Sequence, residues 1–369
     1  MSLQTKEQQT RLTHKLKREL GAFILQALSD SDVIEIMVNS DGRIWLDKKR
    51  KETKGFSSAN LSEGQEGESV EDREDSTIGL YDTGKTMNAG DLLIALGTIA
   101  MMNDKEINED HPMLQAVLPL DGSRVQGLIP PATPMGPSLT IRKHSSSVFP
   151  LSLYVKEGRI PQEQADYLRE CIRRSKNIVV AGGTSSGKTT FVNALIKELL
   201  QIAPRERIIV MEDTFEIKCE TNNKERLVTT EQVTMNMLVR ASMRMRPDRL
   251  VVGEVRGMES LDLLKSWNTG HPGGLATIHS NDAYSTLIRF ENLNMEATKN
   301  SPQCRLIGET VNVVVYMENA GKRGRQITQI MEVRGYEREK YITEMVYELS
   351  NIKELREQNQ CNEDRGLAL

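Results

Sequence analysis

The sequence predicts an α/β protein whose larger domain is a parallel β-sheet covered by helices on both faces. Four short apolar runs, at 178–181, 207–211, 250–253 and 275–278, alternate with helical patterns. Such an alternation is typical of parallel strands that are buried on both faces. The first run ends in a glycine-rich turn that opens directly into an amphipathic helix. The preceding part mixes helical and short strand patterns, which predicts a smaller amino-terminal α+β domain.

The chain of 369 residues is long enough for two domains that each bury a core. We expect an amino-terminal α+β domain over 1–144, an interdomain linker over 145–160, and the larger α/β domain over 161–369. Residues 57–77 are almost all serine, glycine and acid, which predicts a disordered insertion; an acidic docking segment is the alternative.

Charge, cysteines and hydropathy exclude several classes of protein. The net charge of −4 disfavours nucleic acid as the main ligand, so no sequence-specific binding of nucleic acid is expected. The four cysteines are far apart and form no C-x-x-C pair, which indicates neither a zinc site nor a disulfide framework and fits a reducing cytoplasm. No run approaches the roughly 18–20 apolar residues that span a bilayer. We therefore expect a cytoplasmic protein with at most peripheral membrane contact.

The amino-terminal domain begins with a basic amphipathic helix over 5–28, whose apolar residues recur at three- and four-residue spacing. This helix packs on its own domain or, as the alternative, lies on an anionic membrane surface. Other elements follow from turn signals and short apolar runs. They are a hairpin at 33–38 and 43–46, a helix over 89–102, strands at 113–118, 124–128 and 138–143, and a rigid proline-rich loop over 129–137.

In the larger domain a helix follows Pro161, and the four strands of the parallel sheet come next. The carboxyl-terminal runs at 311–316, 326–333 and 341–347 predict a final group of mostly antiparallel strands. A short polar helix and a frayed tail are expected after them.

The turn at 182–190 reads Gly-Gly-Thr-Ser-Ser-Gly-Lys-Thr-Thr and matches the phosphate-loop pattern G-x-x-x-x-G-K-[ST]. Such a loop directs backbone N–H groups and the positive end of a helix dipole at one anion. Lys188 is expected to reach the β and γ phosphates and the Thr189 hydroxyl to ligate Mg²⁺ directly. The predicted nucleotide-binding residues are Gly182, Gly183, Thr184, Ser185, Ser186, Gly187, Lys188, Thr189 and Thr190.

Three further strand ends carry polar residues, and ligands of open α/β sheets bind at the carboxyl ends of strands. They deliver Glu212, Glu254 and His279. Each residue has an ordinary alternative, which is a solvated acid at a strand end or a histidine bound to a backbone carbonyl. Their order and spacing predict that Lys188, Glu212, Glu254 and His279 lie on neighbouring strand ends.

These four segments resemble the Walker A, Asp box, Walker B and His box of the type II/type IV secretion ATPase superfamily, and most of all its TrbB-like conjugal-transfer branch. The matching residues are 182–190, 211–216, 246–257 and 270–279. The resemblance covers nearly all of 150–345 and, more loosely, the amino-terminal domain. It implies a RecA-like phosphate-loop ATPase core that works as a ring-shaped homohexamer on inner-membrane secretion machinery.

The resemblance also implies roles for individual residues. Glu212 would be the general base, Glu254 would hold Mg²⁺ through water, and His279 would sense the γ phosphate. Arg124 and Arg142 fall where the family's amino-terminal domain supplies arginines to the phosphates. With Lys188, these are the predicted catalytic residues, and ATP and Mg²⁺ are the predicted substrate and cofactor.

We therefore expect an ATP-hydrolysing hexameric motor that powers conjugative transfer or type IV secretion at the cytoplasmic face of the inner membrane. A pilus-retraction ATPase is the nearest alternative, because the assembly branch typically carries a tetracysteine zinc module that is absent here. A nucleotide switch would need N-K-x-D, and the nearest string, at 223–226, lacks the final Asp. A nucleic-acid translocase would need a basic channel, which the balanced charge does not indicate.

Overall fold

The computed structural model describes residues 6–48, 79–143, 148–230, 232–319 and 324–349. The chain divides into two compact units, Met1–His144 and Ser145–Leu369. The predicted acidic insertion at 57–77, the first residues of the predicted linker and the predicted carboxyl-terminal helix and tail lie outside the described residues.

The first unit is an antiparallel sheet with two helices. Its described elements are α1 (Lys6–Ser29), β1 (Val33–Val38), β2 (Arg43–Lys48), β3 (Leu80–Thr86), α2 (Ala89–Met102), β4 (Met113–Val117), β5 (Arg124–Leu128) and β6 (Ser138–Arg142). Across the described strands the order is β3-β2-β1-β6-β5-β4, and every neighbouring pair is antiparallel. The predicted hairpin is therefore β1–β2.

One face of this sheet carries the core of the first unit. Because successive side chains alternate between the faces of a strand, Ile36, Val38 and Ile141 point to the same side, and all are buried. The two helices cover that side with buried residues such as Leu16 and Leu96. Burial of this face is the main stabilising contribution available to the unit, at about 25 cal/mol per Å² of apolar surface.

Helix α1 uses its apolar face inside the unit. Leu16, Leu20 and Ile24 are buried in the core, so the face that the membrane alternative required is occupied by the protein's own residues. The predicted helix is also not continuous, because Gly21 (φ 75°, ψ 164°) breaks the helical backbone between two helical segments. Glycine adopts this φ readily, since it lacks a Cβ. Among the described residues, no helix is long and apolar enough to cross a bilayer.

The second unit is a three-layer α/β structure. Its described helices are α3 (Leu151–Lys156), α4 (Gln162–Arg173), α5 (Lys188–Ile202), α6 (Met235–Ser242), α7 (Glu259–Asn268), α8 (Ala283–Thr298) and α9 (Cys304–Thr310). Its described strands are β7 (Ile178–Gly182), β8 (Ile208–Glu212), β9 (Lys224–Val228), β10 (Arg249–Val255), β11 (Leu275–Ile278), β12 (Val313–Asn319), β13 (Arg325–Glu337) and β14 (Lys340–Glu348).

The described strands of this unit form one sheet in the order β14-β13-β12-β7-β11-β10-β8-β9. The strands from β12 to β9 are parallel, and β13 and β14 extend the sheet as antiparallel strands. Alternate residues of β7 enter different cores: Val180 packs with α4 and α5, whereas Val179 packs with the helices of the other face. The parallel sheet covered on both faces is confirmed.

The second unit differs from the sequence-based expectation in three places. Strand β12, expected in the mostly antiparallel carboxyl-terminal group, pairs antiparallel with β13 but parallel with β7, so it also belongs to the parallel sheet. Strand β9 was not predicted, because Lys-Glu-Arg-Leu-Val at the sheet edge has no apolar run. Within the predicted linker, residues 151–156 form α3, and Leu151, Tyr154 and Ile160 lie in a core of the second unit.

Candidate functional site

The phosphate loop connects β7, in the middle of the sheet, to α5. Gly182 has φ 154°, and a Cβ there would lie 2.3 Å from the carbonyl oxygen of Met317 on β12. Gly187 has φ 95° and a Cβ there would lie 2.9 Å from Cδ of Arg325. Only glycine therefore fits both positions without displacing its neighbours. Between them, Gly183, Thr184 and Ser185 are exposed at the mouth of the loop.

Lys188 lies inside the curl of the loop. Its Nζ donates to the carbonyl oxygens of Gly182 (2.9 Å) and Gly183 (2.7 Å), and its side chain is buried. Ser186 Oγ also donates to the Gly183 carbonyl, at 2.9 Å. Thr189 and Thr190 follow in the first turn of α5, where backbone N–H groups have no partner within the helix. The loop thus curls around the Lys188 ammonium, which supplies a positive charge for an anion.

The four predicted segments lie at the carboxyl ends of neighbouring parallel strands. The strands that deliver them are neighbours in the order β7-β11-β10-β8, and all four run in the same direction. Lys188 follows β7, His279 follows β11, Glu254 lies near the end of β10 and Glu212 ends β8. The arrangement predicted from their order and spacing is therefore the one observed.

Glu212 is buried and its carboxylate is already hydrogen-bonded. Oε1 accepts from the backbone amides of Glu216 (2.8 Å) and Ile217 (2.7 Å), and Oε2 lies 3.3 Å from Nη2 of Arg226. Arg226 in turn stacks over the Phe215 ring at 4.3 Å. Burial raises the pKa of Glu212, and the two amides and Arg226 oppose that rise. These bonds tie the loop after β8 to the strand that precedes it.

Glu254 forms a more open group. Its Oε1 lies 2.9 Å from Nε2 of His279, and its Oε2 accepts from Arg256, whose other terminal nitrogen donates to Asp213 at 2.8 Å. The Glu254 side chain is 18% exposed, against 3% for Glu212. Together with Glu259, three of these residues line a cavity of about 250 Å³. A carboxylate that lines a cavity can contact a bound water molecule. The enclosed Glu212 carboxylate is less accessible to water.

His279 is held as a neutral imidazole near pH 7. Burial lowers its pKa, the positive charge of Lys188 lowers it further, and Glu254 raises it. The Nε2 atom of His279 faces the Glu254 carboxylate, with 2.9 Å between Nε2 and Oε1. The contact links the strand ends of β10 and β11 beside the phosphate loop.

We predict that replacing Lys188 with methionine raises the pKa of His279, because the substitution removes a nearby positive charge. The C2 proton resonance of His279, assigned by comparison with His279→Gln, measures the pKa directly. Lys197→Met is the matched control, since Lys197 is exposed on the same helix. An unchanged titration in Lys188→Met would contradict the electrostatic contact.

The glycine-rich turn before β11 is held by hydrogen bonds to a buried side chain and by close packing. The buried Asn177 accepts hydrogen bonds on Oδ1 from the amides of Gly273 (2.7 Å) and Gly274 (3.0 Å). A Cβ on Gly274 would lie 1.9 Å from Nε1 of Trp267, so this glycine serves close packing. His271 Nδ1 lies 3.0 Å from the Pro247 carbonyl oxygen, at the opposite end of β11 from His279.

Arg124 and Arg142 lie opposite each other on β5 and β6 of the first unit. Arg142 also pairs in register with Glu35, where burial raises the pKa of the carboxyl group and the charge of Arg142 lowers it. Both arginines alternate with buried residues such as Ile141, so they lie on the face of the sheet away from the core. Their contact with nucleotide phosphates stays a prediction.

Sequence reasoning missed three arginines of the second unit. Arg256 stands two residues after Glu254, so the strand-end motif itself contained a signal for it. Arg226 lies on the unpredicted strand β9, and Arg325 lies 140 residues after the loop carbonyl that it contacts. No local pattern could have connected these two to the site.

The fold and the site define an α/β protein whose glycine-rich loop matches the phosphate-loop pattern at the end of a central parallel strand. The model of the family described as "Type II/IV secretion system protein" matches residues 106–362, and the chain belongs to that family. This membership confirms the prediction of a secretion ATPase and the resemblance on which it was based.

Named relatives extend over most of the chain. It is 39% identical over 331 residues to a probable conjugal transfer protein TrbB from Sinorhizobium fredii, covering 90% of this chain and 92% of the relative. It is 38% identical to a conjugal transfer protein TrbB from Rhizobium radiobacter, covering 90% and 94%. A type IV secretion system protein PtlH from Bordetella pertussis is 32% identical over 82% of this chain and 91% of its own.

Two solved structures are similar in fold. The Legionella pneumophila ATPase DotB is 16% identical and covers 90% of this chain and 81% of its own, with a TM-score of 0.56. The pilus retraction motor PilT with bound ADP is 16% identical and covers 94% and 88%, with a TM-score of 0.54. At this identity the similarity concerns the fold alone.

Proposed function

We propose that the protein is an ATP-hydrolysing motor of a conjugative-transfer apparatus, with a RecA-like core. The observation that carries the proposal is the convergence of the phosphate loop, Glu254 and His279 on adjacent strands of one parallel sheet. Similarity over nine-tenths of the chain to two conjugal transfer proteins supports the biological setting.

The residues of the loop fit a nucleoside triphosphate with Mg²⁺. Gly183, Thr184 and Ser185 are exposed at the mouth of the loop, where backbone amides can meet an anion, and the Lys188 ammonium lies within the same curl. Thr189 would ligate Mg²⁺ directly. When bound, Mg²⁺ neutralises charge on the phosphates. Lys188 stabilises the negative charge that develops on the γ phosphate.

Glu254 is the carboxylate that we assign to the attacking water, and Glu212 is the residue that we assign to holding the loop at 213–217. The family resemblance implies a different assignment, in which Glu212 is the general base. The reason is that Glu212 is the more enclosed of the two, with a side chain 3% exposed against 18% for Glu254, and its Oε1 is held by two backbone amides. His279 keeps Glu254 oriented and, being neutral, adds no competing positive charge.

The remaining parts of the proposal concern assembly. We propose a homohexamer at the cytoplasmic face of the inner membrane, in contact with membrane components of the apparatus, with Arg124 and Arg142 acting on the phosphates. Family membership and the names of the TrbB and PtlH relatives support this setting. A retraction-type pilus motor is the alternative that the experiment below must separate.

The test is deletion of the gene, followed by complementation with the parent gene or with an empty vector. DNA transfer, protein export and twitching are measured side by side in the same strains. We expect DNA transfer to be lost on deletion and restored by the parent gene, and the purified protein to turn over ATP in preference to GTP. Normal DNA transfer with lost twitching would replace the proposal with a pilus motor.

A further inference from the structure

The phosphate loop has an outer side as well as an inner one. Turning successive N–H groups towards one anion turns the adjoining carbonyl groups outwards, and these need partners of their own. The carbonyls of Gly182 and Gly183 have partners within the loop itself, Lys188 inside the curl and Ser186. The Ser185 carbonyl is bound from a different part of the chain.

Its partner is Arg325, the first residue of β13. Arg325 Nε donates to the Ser185 carbonyl oxygen at 3.0 Å. The aliphatic part of the same side chain covers Gly187, because its Cδ would lie 2.9 Å from a Cβ at that position. One side chain thus touches the loop at two residues, once through a charged hydrogen bond and once through van der Waals contact.

Both contacted residues have left-handed backbone conformations. Ser185 has φ 58°, which is uncommon for a residue with a Cβ, and Gly187 has φ 95°. Such conformations persist where the surroundings hold them. Arg325 contacts the loop at these two left-handed residues.

The position of Arg325 is set by the sheet. Strand β12 lies between β7 and β13, with Met317 in register with Gly182, so β13 starts beside the loop. Burial raises the pKa of Tyr154 to about 12, and the charges of Arg159 and Arg325 oppose that rise. The Tyr154 ring packs edge-on against Phe191 in the first turn of α5, with centroids 5.2 Å apart.

We propose that Arg325 is a positioning residue of the phosphate loop, which keeps the loop in its nucleotide-receiving conformation by binding the Ser185 carbonyl and covering Gly187. The inference rests on the proposed nucleotide-binding function and goes further, because it makes the antiparallel extension of the sheet part of the site. Arg325 acts through the backbone of the loop, so its removal weakens binding of the nucleotide more than it slows the chemical step.

The test compares Arg325→Ala, Arg325→Met and Arg325→Lys in the full-length protein. ADP affinity is measured by calorimetry, and kcat and KM are measured for ATP. We expect Arg325→Ala and Arg325→Met to raise the ADP Kd and the ATP KM about tenfold, because each variant loses one charged hydrogen bond. The kcat of both variants should stay within about twofold of the parent value. Arg325→Lys should recover most of the affinity, since lysine keeps a donor and an aliphatic stem.

Arg334→Ala is the matched control. Arg334 lies on the same strand, is more than half exposed and is paired with Glu332 and Glu344. We expect this variant to bind ADP as the parent does. Retained affinity in Arg325→Met would overturn the proposal, and so would equal affinities of Arg325→Lys and Arg325→Ala. If Arg325→Ala fails to fold, the affinities of Arg325→Lys and Arg325→Met are sufficient to test the proposal, because both variants keep an aliphatic side chain.

Different results would contradict the proposed function and this inference. A parent protein that neither binds ADP nor hydrolyses ATP would contradict the proposed function. A parent that does both, with Arg325 variants of unchanged Kd and KM, would contradict only the role of Arg325.

Discussion

Replacing Lys188 with alanine is expected to reduce ATP hydrolysis by about 100-fold or more. Loss of one preorganised donor to developing negative charge costs about 10²–10³ in rate in other enzymes. Lys188 is the cation inside the loop, with Nζ within 3 Å of two loop carbonyls, and its side chain is buried. The measurement is release of inorganic phosphate by the purified variant at saturating ATP.

Lys197→Ala is the control for this substitution. Lys197 lies on the same helix but is exposed, so its removal tests the general effect of deleting a lysine from α5. We expect the control to hydrolyse ATP as the parent does. A Lys188→Ala protein with parental turnover and parental circular dichroism would show that the phosphate loop is not the hydrolytic site.

Glu254→Gln is expected to reduce ATP hydrolysis by about 10²–10³-fold, within the range that a positioned general base contributes. Binding of ADP should remain close to that of the parent, because glutamine keeps the size of the side chain and an acceptor for His279. The expectation follows from geometry, since Glu254 lies at the rim of a cavity and shares its carboxylate with His279 and Arg256.

Glu212→Gln is the matched variant on the neighbouring strand. The amide oxygen of glutamine can still accept from the backbone amides of Glu216 and Ile217, so only the ion pair with Arg226 is lost. We expect less than a tenfold loss of kcat, on the order of one weakened charged contact. A larger loss of kcat in Glu212→Gln than in Glu254→Gln would return the role of general base to Glu212.

Much of the site was predictable because its parts are local in sequence. A strand, a glycine-rich turn and a helix in succession specify a phosphate loop within about 25 residues, whatever the rest of the chain does. The acids Glu212 and Glu254 each end an apolar run, and a run of that kind is a buried strand whose carboxyl end faces ligands in an open α/β sheet. Local pattern therefore placed each group at the end of a strand.

Other features could not be predicted, because they depend on what lies beside a residue in space. Strands β3 and β9 are exposed at sheet edges, so they have no apolar run to reveal them. The helical content of 151–156 follows from packing of Leu151 and Tyr154 in the core of the second unit. The break at Gly21 interrupts a helical pattern that continues on both sides of it.

The sequence by itself determined the pattern of a phosphate loop and of three polar strand ends. Through its resemblance to known motifs, it also indicated the family to which the protein belongs. Only the tertiary structure decided what each group does, because burial and hydrogen bonding depend on the neighbours that the sheet order β7-β11-β10-β8 brings together. It enclosed Glu212 and left Glu254 at the rim of a cavity, although both end apolar strands. It also brought Arg325 to the Ser185 carbonyl, since β12 pairs in parallel with β7 and sets β13 beside the loop.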